Sequence, residues 1–145
     1  MGSYASEEMK RFNHLLGELD GAYHEISFKL GLSDSAMTIL YTICDKGESC
    51  LLQEICLQSG VSKQTINSAI RKLEAEGILY LEPAGAKNKR VCLTEKGKAF
   101  AAKTAGKVIQ MENEVLASWT KEDIEKYLDL TKQFLEAMKE KAKSL

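Results

Sequence analysis

One short polar stretch between Gly60 and Gly77 has side chains that could recognise a double-stranded nucleic acid. At 100° per residue, Gln64, Asn67, Ser68 and Arg71 cluster on one face of a helix. Asn and Gln form paired hydrogen bonds with adenine edges, and Arg forms them with guanine. No acidic residue occurs in residues 63–73, so the cations there lack the acidic neighbours of an ordinary solvated face. This face predicts base reading in a DNA major groove. The alternative is a surface helix that happens to lack acids.

Cations and hydroxyls next to this face are the candidates for phosphate contacts. A helix N-terminus adds a partial positive charge, and each cation that meets a phosphate releases counterions. The loop after the helix is basic and carries no acid between Pro83 and Arg90. The predicted phosphate and wing residues are Ser62, Lys63, Thr65, Lys72, Lys87, Asn88, Lys89 and Arg90.

The elements that must position these side chains can be predicted from local signals. Ser62 is a favourable N-cap and Gly77 a favourable end, which places the recognition helix at about residues 62–76. Its opposite face is apolar through Ile66, Ala69, Ile70 and Leu73.

A second short helix is expected before the recognition helix. Residues 51–58 have apolar positions at 51, 52, 55 and 56, with the small Cys56 expected where the two helices cross. Residues 59–61 provide a tight turn with Gly60 at its centre. Together the two helices predict a helix-turn-helix.

After Gly77 the pattern becomes that of strands. Residues 78–81 are short and apolar, and residues 90–94 alternate, which predicts a hairpin. Its basic loop beside the recognition helix would form a wing over about residues 78–94.

The composition limits the classes of protein that this chain can be. It has 145 residues, 44% hydrophobic content and a formal charge of −1. Residues 62–90 nevertheless hold six basic and three acidic side chains, so positive charge is concentrated there. No apolar run approaches the ~20 residues of a membrane span. The pattern favours a cytoplasmic protein that does not contact a membrane.

Further helices flank this region. Met9, Phe12, Leu16, Leu19, Tyr23, Ile26 and Leu30 recur at heptad spacing in a first helix from about Ala5 to Leu30. Helices are also expected at residues 35–46, capped by Ser33 or Asp34, and from Thr94 to about Trp119. A last helix should begin after Thr120 with a seam through Leu128 and Leu135.

The terminal helices are too long and too apolar to be covered by a small winged core. Burial against a second copy would relate two recognition helices by a two-fold axis, which suits an inverted-repeat operator. The predicted fold is mainly α with a minor β part: a winged helix-turn-helix with N- and C-terminal helices forming a dimerisation bundle. We divide it into residues 1–32 (N-terminal dimerisation helix), 33–97 (DNA-binding region) and 98–145 (C-terminal dimerisation helices), within one structural domain.

These residues resemble the MarR family of bacterial and archaeal regulators. The resemblance is carried by Leu32-Ser33, Gly60-Val61-Ser62, Leu73-Glu74, Gly77-Ile78 and Leu93-Thr94-Glu95-Lys96-Gly97. It implies a triangular homodimer that binds double-stranded DNA, usually as a repressor, and is often released by phenolic ligands, metals or oxidants. One departure concerns the wing, where the family often has Asp-x-Arg and this chain has Gly85 and Lys87.

The resemblance also implies an effector pocket between the dimer helices and the winged region, for a small phenolic or other apolar molecule. Matching positions are Arg11, His14, Tyr23, His24 and Tyr41. Packed and hydrogen-bonded interface side chains are the alternative.

The four cysteines contain no Cys-x-x-Cys motif, and no metal site or cofactor is expected. Cys44 and Cys56 fit a role as small buried apolar residues. Strand alternation would direct Cys92 outward beside Arg90, where a thiolate would be stabilised, so a thiol redox-sensing regulator is an alternative.

Two other classes can be weighed. An enzyme would need a nucleophile with a base, a metal cluster or a phosphate loop, and the sequence offers none. A winged-helix protein-interaction module would expose apolar or aromatic anchors on the recognition helix. Gln64, Asn67, Ser68 and Arg71 are not such anchors.

Overall fold

Residues 3–145, which the computed structural model describes, form seven helices and three strands. Residues 1 and 2 of the predicted N-terminal segment lie outside this range. The elements are α1 Glu7–Lys29, α2 Asp34–Lys46, β1 Ser49–Leu51, α3 Leu52–Ser59, α4 Lys63–Ala75, β2 Leu79–Pro83, β3 Lys89–Leu93, α5 Glu95–Lys103, α6 Ala105–Ala117 and α7 Lys121–Ala142.

Hydroxyl caps fix the starts of α2 and α7, as predicted. Ser33 accepts a hydrogen bond from the amide of Ala36 at 3.1 Å, which decides between the two candidate caps of α2. Thr120 accepts from the amide of Asp123 at 3.1 Å and starts α7. Each cap satisfies an amide that the helix cannot pair internally.

The sheet contains a strand that the sequence pattern did not indicate. β1 pairs with β3, and β3 pairs with β2, both antiparallel, so the strand order is β1-β3-β2. Our prediction of a two-stranded hairpin was therefore incomplete. A three-residue strand is too short to establish alternation, and Leu51 also fitted the apolar pattern of the following helix. The addition makes β3 a central strand.

The core lies around α2. Ile39, Leu40 and Ile43 of this helix are fully buried, and the inner faces of α3, α4 and the sheet pack around them. Burial of such side chains contributes about 1.5–3 kcal/mol each to folding. The apolar positions predicted for α4 mostly belong to this core: Ile66, Ile70 and Leu73 are buried, and Ala69 is partly buried.

The helix predicted from Thr94 to about Trp119 is interrupted. α5 ends at Lys103, and Thr104 has φ −121° and ψ −92°, outside the helical region. The Thr104 hydroxyl donates to the carbonyl of Phe100 at 2.9 Å, an alternative to helical backbone pairing. The apolar spacing continues through this break, so periodicity alone could not locate it.

The chain divides into two units, Met1–Val108 and Ile109–Leu145. The first contains the sheet and the buried core. In this unit, Ile26 of α1 and its C-cap residue Leu30 are partly buried against the core. Four other apolar residues of α1 are substantially exposed: Phe12, Leu16, Leu19 and Tyr23.

The second unit contains α7, in which no residue is buried. Leu128 and Leu135, seven residues apart on the predicted seam, each expose about half of their surface, 55% and 51%. The rings of Trp119 and Tyr127 contact edge to face with centroids 5.3 Å apart.

No helix among residues 3–145 is both long enough and apolar enough to cross a membrane.

Candidate nucleic-acid interface

The first turn of α4 is built as predicted. The Ser62 hydroxyl accepts from the amide of Thr65 at 3.2 Å and donates to the Thr65 hydroxyl at 2.8 Å. Gly60, with φ +66°, ends α3 in the left-handed conformation and allows the tight turn between the helices. This pairing fixes both hydroxyls at the N-terminus of α4, where the helix dipole favours an anion.

The side chains of α4 separate into a buried and an outward face. Gln64, Ser68 and Arg71 are exposed, and Asn67 is partly buried at the edge of the core. The base-reading candidates therefore lie on one helix, with apolar packing behind them that holds the helix in place.

A groove of about 870 Å³ lies between α4 and the wing. The recognition helix contributes Lys63, Asn67, Arg71 and Glu74 to one wall, and the wing contributes Lys87, Asn88 and Lys89 to the other. Leu52, Cys56, Ile70 and Leu81 provide apolar surface, and Gln53 joins the lining from α3. Lys63 and Lys87, which are 24 positions apart in sequence, thus face one concave surface. Gln64 and Ser68 are not part of this lining.

The groove carries uncompensated positive charge. Four cations line it, Lys63, Arg71, Lys87 and Lys89, against one acid, Glu74. The ion pairs in the described part of the chain involve other residues, as in Lys98 with Glu48 at 3.2 Å and Lys46 with Glu54 at 3.6 Å. Such an arrangement attracts a polyanion.

The wing turn is closed by the backbone. The amide of Ala84 donates to the carbonyl of Asn88 at 2.9 Å, and Gly85 has φ +93°, a conformation that favours glycine. This hydrogen bond closes the turn although an acid is missing at Gly85. The side chains of Lys87, Asn88 and Lys89 are exposed beyond it.

Arg90 differs from the other predicted wing cations. It is partly buried, and its guanidinium donates to the hydroxyl of Ser49 on β1 at 3.2 Å. Because no sequence pattern indicated β1, none indicated this partner of Arg90. Arg90 is absent from the groove lining, unlike Lys87 and Lys89.

Sequence reasoning missed two polar residues of the groove. Gln53 lies in the first turn of α3, a helix that we expected only to support α4, and Glu74 lies beyond the acid-free stretch. Glu74 follows Asn67 by seven residues, two helical turns, so its place on the groove side could have been deduced from helical spacing.

The prediction that Cys92 is outward and has a stabilised thiolate is wrong. Alternation does place it on the sheet face opposite Val91, but Cys92 is only 5% exposed. It lies on the central strand, with Tyr80 directly opposite on β2 and Ser49 opposite on β1. Burial raises the pKa of the Cys92 thiol, and the Glu82 carboxylate raises it further. A thiol of this kind is a poor nucleophile at neutral pH.

Cys44 and Cys50 are also protected by burial. Burial raises the pKa of Cys44, and burial together with nearby Glu54 raises the pKa of Cys50 to about 11. Cys44 and Cys56 are partly buried against the core, consistent with the apolar role expected for them. No group of three or more potential metal-ligating residues occurs within residues 3–145.

The five residues matched to an effector pocket have different surroundings. His14 pairs with Glu18 at 3.5 Å, and His24 Nδ1 lies 2.8 Å from Asp34 Oδ2. Arg11 and Tyr23 are exposed on α1, and Tyr41 is partly buried on α2. None of the five lines the groove between α4 and the wing. Their predicted role stays a prediction.

Comparison with known proteins gives one family match over part of the chain and a shared fold. Residues 30–90 match the model of the MarR family. A MarR family regulator from Neisseria meningitidis has a TM-score of 0.82 at 17% identity, with 96% of this chain and 99% of that chain covered. No curated protein matches the chain.

Two proteins with the same fold have been studied with small molecules. Bordetella bronchiseptica BpsR, whose DNA binding is regulated by 6-hydroxynicotinic acid, has a TM-score of 0.63 at 18% identity, covering 86% of this chain and 98% of its own. MarR of Staphylococcus aureus, solved in complex with salicylate and kanamycin, has a TM-score of 0.67 at 17% identity, covering 91% and 93%.

Proposed function

We propose that the chain is a MarR-family winged-helix transcriptional regulator, not an enzyme, and that it binds double-stranded DNA sequence-specifically. The family match over residues 30–90 and the shared fold support this proposal. We propose further that it acts as a repressor, as a homodimer on an inverted repeat, and that a small molecule modulates it. The observation that carries the proposal is the groove between α4 and the wing, whose four cations lack ion-pair partners within the described residues.

The roles of the helix residues follow from their positions. Gln64 and Ser68, outward and off the groove, are suited to base edges in the major groove. Asn67 and Arg71 line the groove. They are placed to reach bases in the part of the bound DNA that lies beside the wing. Lys63 and Lys72 have the charge and exposure to hold phosphates, as do Lys87 and Lys89 on the wing.

Dimer formation is supported by apolar surface at both ends of the chain. Exposed positions on α1 include Phe12, Leu16 and Leu19, and those on α7 include Leu128 and Leu135. On each helix, exposed apolar side chains of this kind support an interaction surface. Two copies related by a two-fold axis would present two recognition helices to successive major grooves.

The proposed effector is a small phenolic or other apolar molecule. The fold neighbours support this class, since their ligands include 6-hydroxynicotinic acid, salicylate and 4-hydroxyphenylacetate. Arg11, His14, Tyr23, His24 and Tyr41 supply one cation, two imidazoles and two phenols that could recognise such a ligand.

The test is selection of the purified protein against a random double-stranded DNA library, with sequencing of the bound pool. We expect an inverted repeat with half-sites about one helical turn apart. The proposal would be contradicted if the protein enriched no sequence, both in the absence of ligand and in the presence of hydroxylated aromatic acids. It would then favour the protein-interaction alternative.

A further inference from the structure

The end of the recognition helix is bonded to the start of α5, although 16 to 20 residues separate the partners in sequence. The hydroxyl of Thr94 lies 2.5 Å from the carbonyl oxygen of Gly77 and 3.2 Å from that of Ile78. The amide of Thr94 also donates to the carbonyl of Ile78 at 3.1 Å. One threonine thus serves as the N-cap of α5 and as an anchor for the segment that leaves α4.

Lys96 makes the second connection. Its ammonium donates to the carbonyl of Glu76, the C-cap residue of α4, at 2.8 Å. This carbonyl lies at the negative end of the helix dipole, where a cation is favoured. Gly77, with φ +77°, reverses the chain directly after it, and a β-carbon there would lie 3.9 Å from Cδ of Lys96.

The backbone of α5 approaches this segment very closely. A β-carbon at Gly97 would lie 2.0 Å from the carbonyl oxygen of Ile78, a distance that forces the two segments apart. Gly97 also donates its amide to the Thr94 hydroxyl at 2.9 Å. We call Thr94, Lys96 and Gly97, with their partners in residues 76–78, the exit clamp.

We propose that Thr94 and Lys96 are positioning residues for DNA recognition, because the exit clamp sets the direction of α4. This inference rests on the proposed DNA-binding function. Neither residue lines the groove between α4 and the wing. Their effect on DNA is therefore transmitted through the end of the helix that carries Asn67 and Arg71.

The geometry makes recognition sensitive to this clamp. The 13 residues of α4 span about 20 Å at 1.5 Å per residue, so a tilt of about 3° at Ala75 moves the Ser62 end by about 1 Å. Hydrogen bonds to base edges tolerate only a few tenths of an ångström. Contacts of cations with phosphates depend less on direction, so loss of the clamp should reduce specific binding more than non-specific binding.

The experiment compares Lys96→Met with Lys96→Arg on the full chain. Lys103→Met, at an exposed position in the same helix, is the matched control for the lost charge. Affinity is measured for the selected operator and for random DNA over a range of salt concentrations. For Lys96→Met we expect a loss of about tenfold on the operator, a change within about twofold on random DNA, and an unchanged salt slope. Lys96→Arg should retain most of the operator affinity.

Two results would overturn the inference. If the salt slope falls by about one and random DNA loses affinity equally, Lys96 contacts a phosphate directly. If operator affinity does not change, the clamp does not position the helix.

Hydrogen exchange in the free protein separates this inference from the proposed function. We expect faster exchange at the amides of residues 76–78 in Lys96→Met and in Thr94→Val, with Thr94→Ser close to the native chain. Unchanged exchange overturns the clamp even if the protein binds DNA. Faster exchange in a chain that selects no DNA supports the clamp while contradicting the proposed function.

Discussion

The guanidinium of Arg90 donates to the hydroxyl of Ser49 at 3.2 Å, across the pair formed by β1 and β3. This contact connects the base of the wing to the strand that precedes α3. It distinguishes Arg90, held in the sheet, from Lys87 and Lys89, exposed on the wing. Cations that look equivalent in sequence are therefore expected to behave differently toward DNA.

Lys89→Ala should weaken binding to all DNA sequences alike and lower the salt slope by ~1, because it removes one phosphate contact. Arg90→Ala should leave the salt slope nearly unchanged, since the native Arg90 side chain is hydrogen-bonded to Ser49 within the sheet. The measurement is affinity for operator and random DNA at several salt concentrations. Equal slope changes in the two variants would contradict the distinction.

Arg71→Ala should cost about 1–3 kcal/mol of operator binding and relax the preference at one base pair, because Arg pairs with a guanine edge. Repeating the library selection with the variant measures this change. Arg71→Lys is the control, since it keeps the charge but loses the paired geometry. An equal loss on operator and random DNA in Arg71→Ala would show that Arg71 contacts the backbone instead.

Stability should fall as the pH rises from about 9 toward 11, because burial and Glu54 raise the pKa of Cys50 to about 11. In this interval the unfolded chain loses the thiol proton while the folded chain keeps it, so alkali favours unfolding. The contribution is about 2 kcal/mol. Urea unfolding of the native chain and of Cys50→Ala across this interval measures it. The substitution should flatten the pH dependence; identical slopes would exclude Cys50 as the cause.

Leu128→Glu combined with Leu135→Glu should convert the proposed dimer into a monomer, because two charges would be placed on the exposed seam of α7. Sedimentation at several protein concentrations measures the association. Lys126→Glu, an exposed polar position on the same helix, is the control and should stay dimeric. A dimer unaffected by the double substitution would place the interface elsewhere.

Peroxide treatment should not change DNA affinity through Cys92, because burial raises the pKa of Cys92 and keeps its thiol protonated at neutral pH. Cys92→Ser is the control for any effect seen on the native chain. A loss of affinity in the native chain that Cys92→Ser abolishes would restore the redox alternative.

The sequence by itself determined the features that depend on near neighbours along the chain. Ser62 and Gly77 delimited α4 because a cap hydroxyl and a left-handed glycine act within one turn. The buried face through Ile66, Ile70 and Leu73 followed from helical spacing. The absence of acids in the stretch after Ser62 indicated that the outward face of the helix could contact DNA.

Only the tertiary structure decided the features that depend on residues distant in sequence. β1 made β3 a central strand, which buried Cys92 and gave Arg90 a partner. Folding likewise brought Gln53 to the groove with Lys87, and Lys96 to the carbonyl of Glu76. Strand pairing and side-chain contacts between residues 20 or more positions apart leave no periodic signal in the sequence. Local patterns therefore could not reveal these contacts.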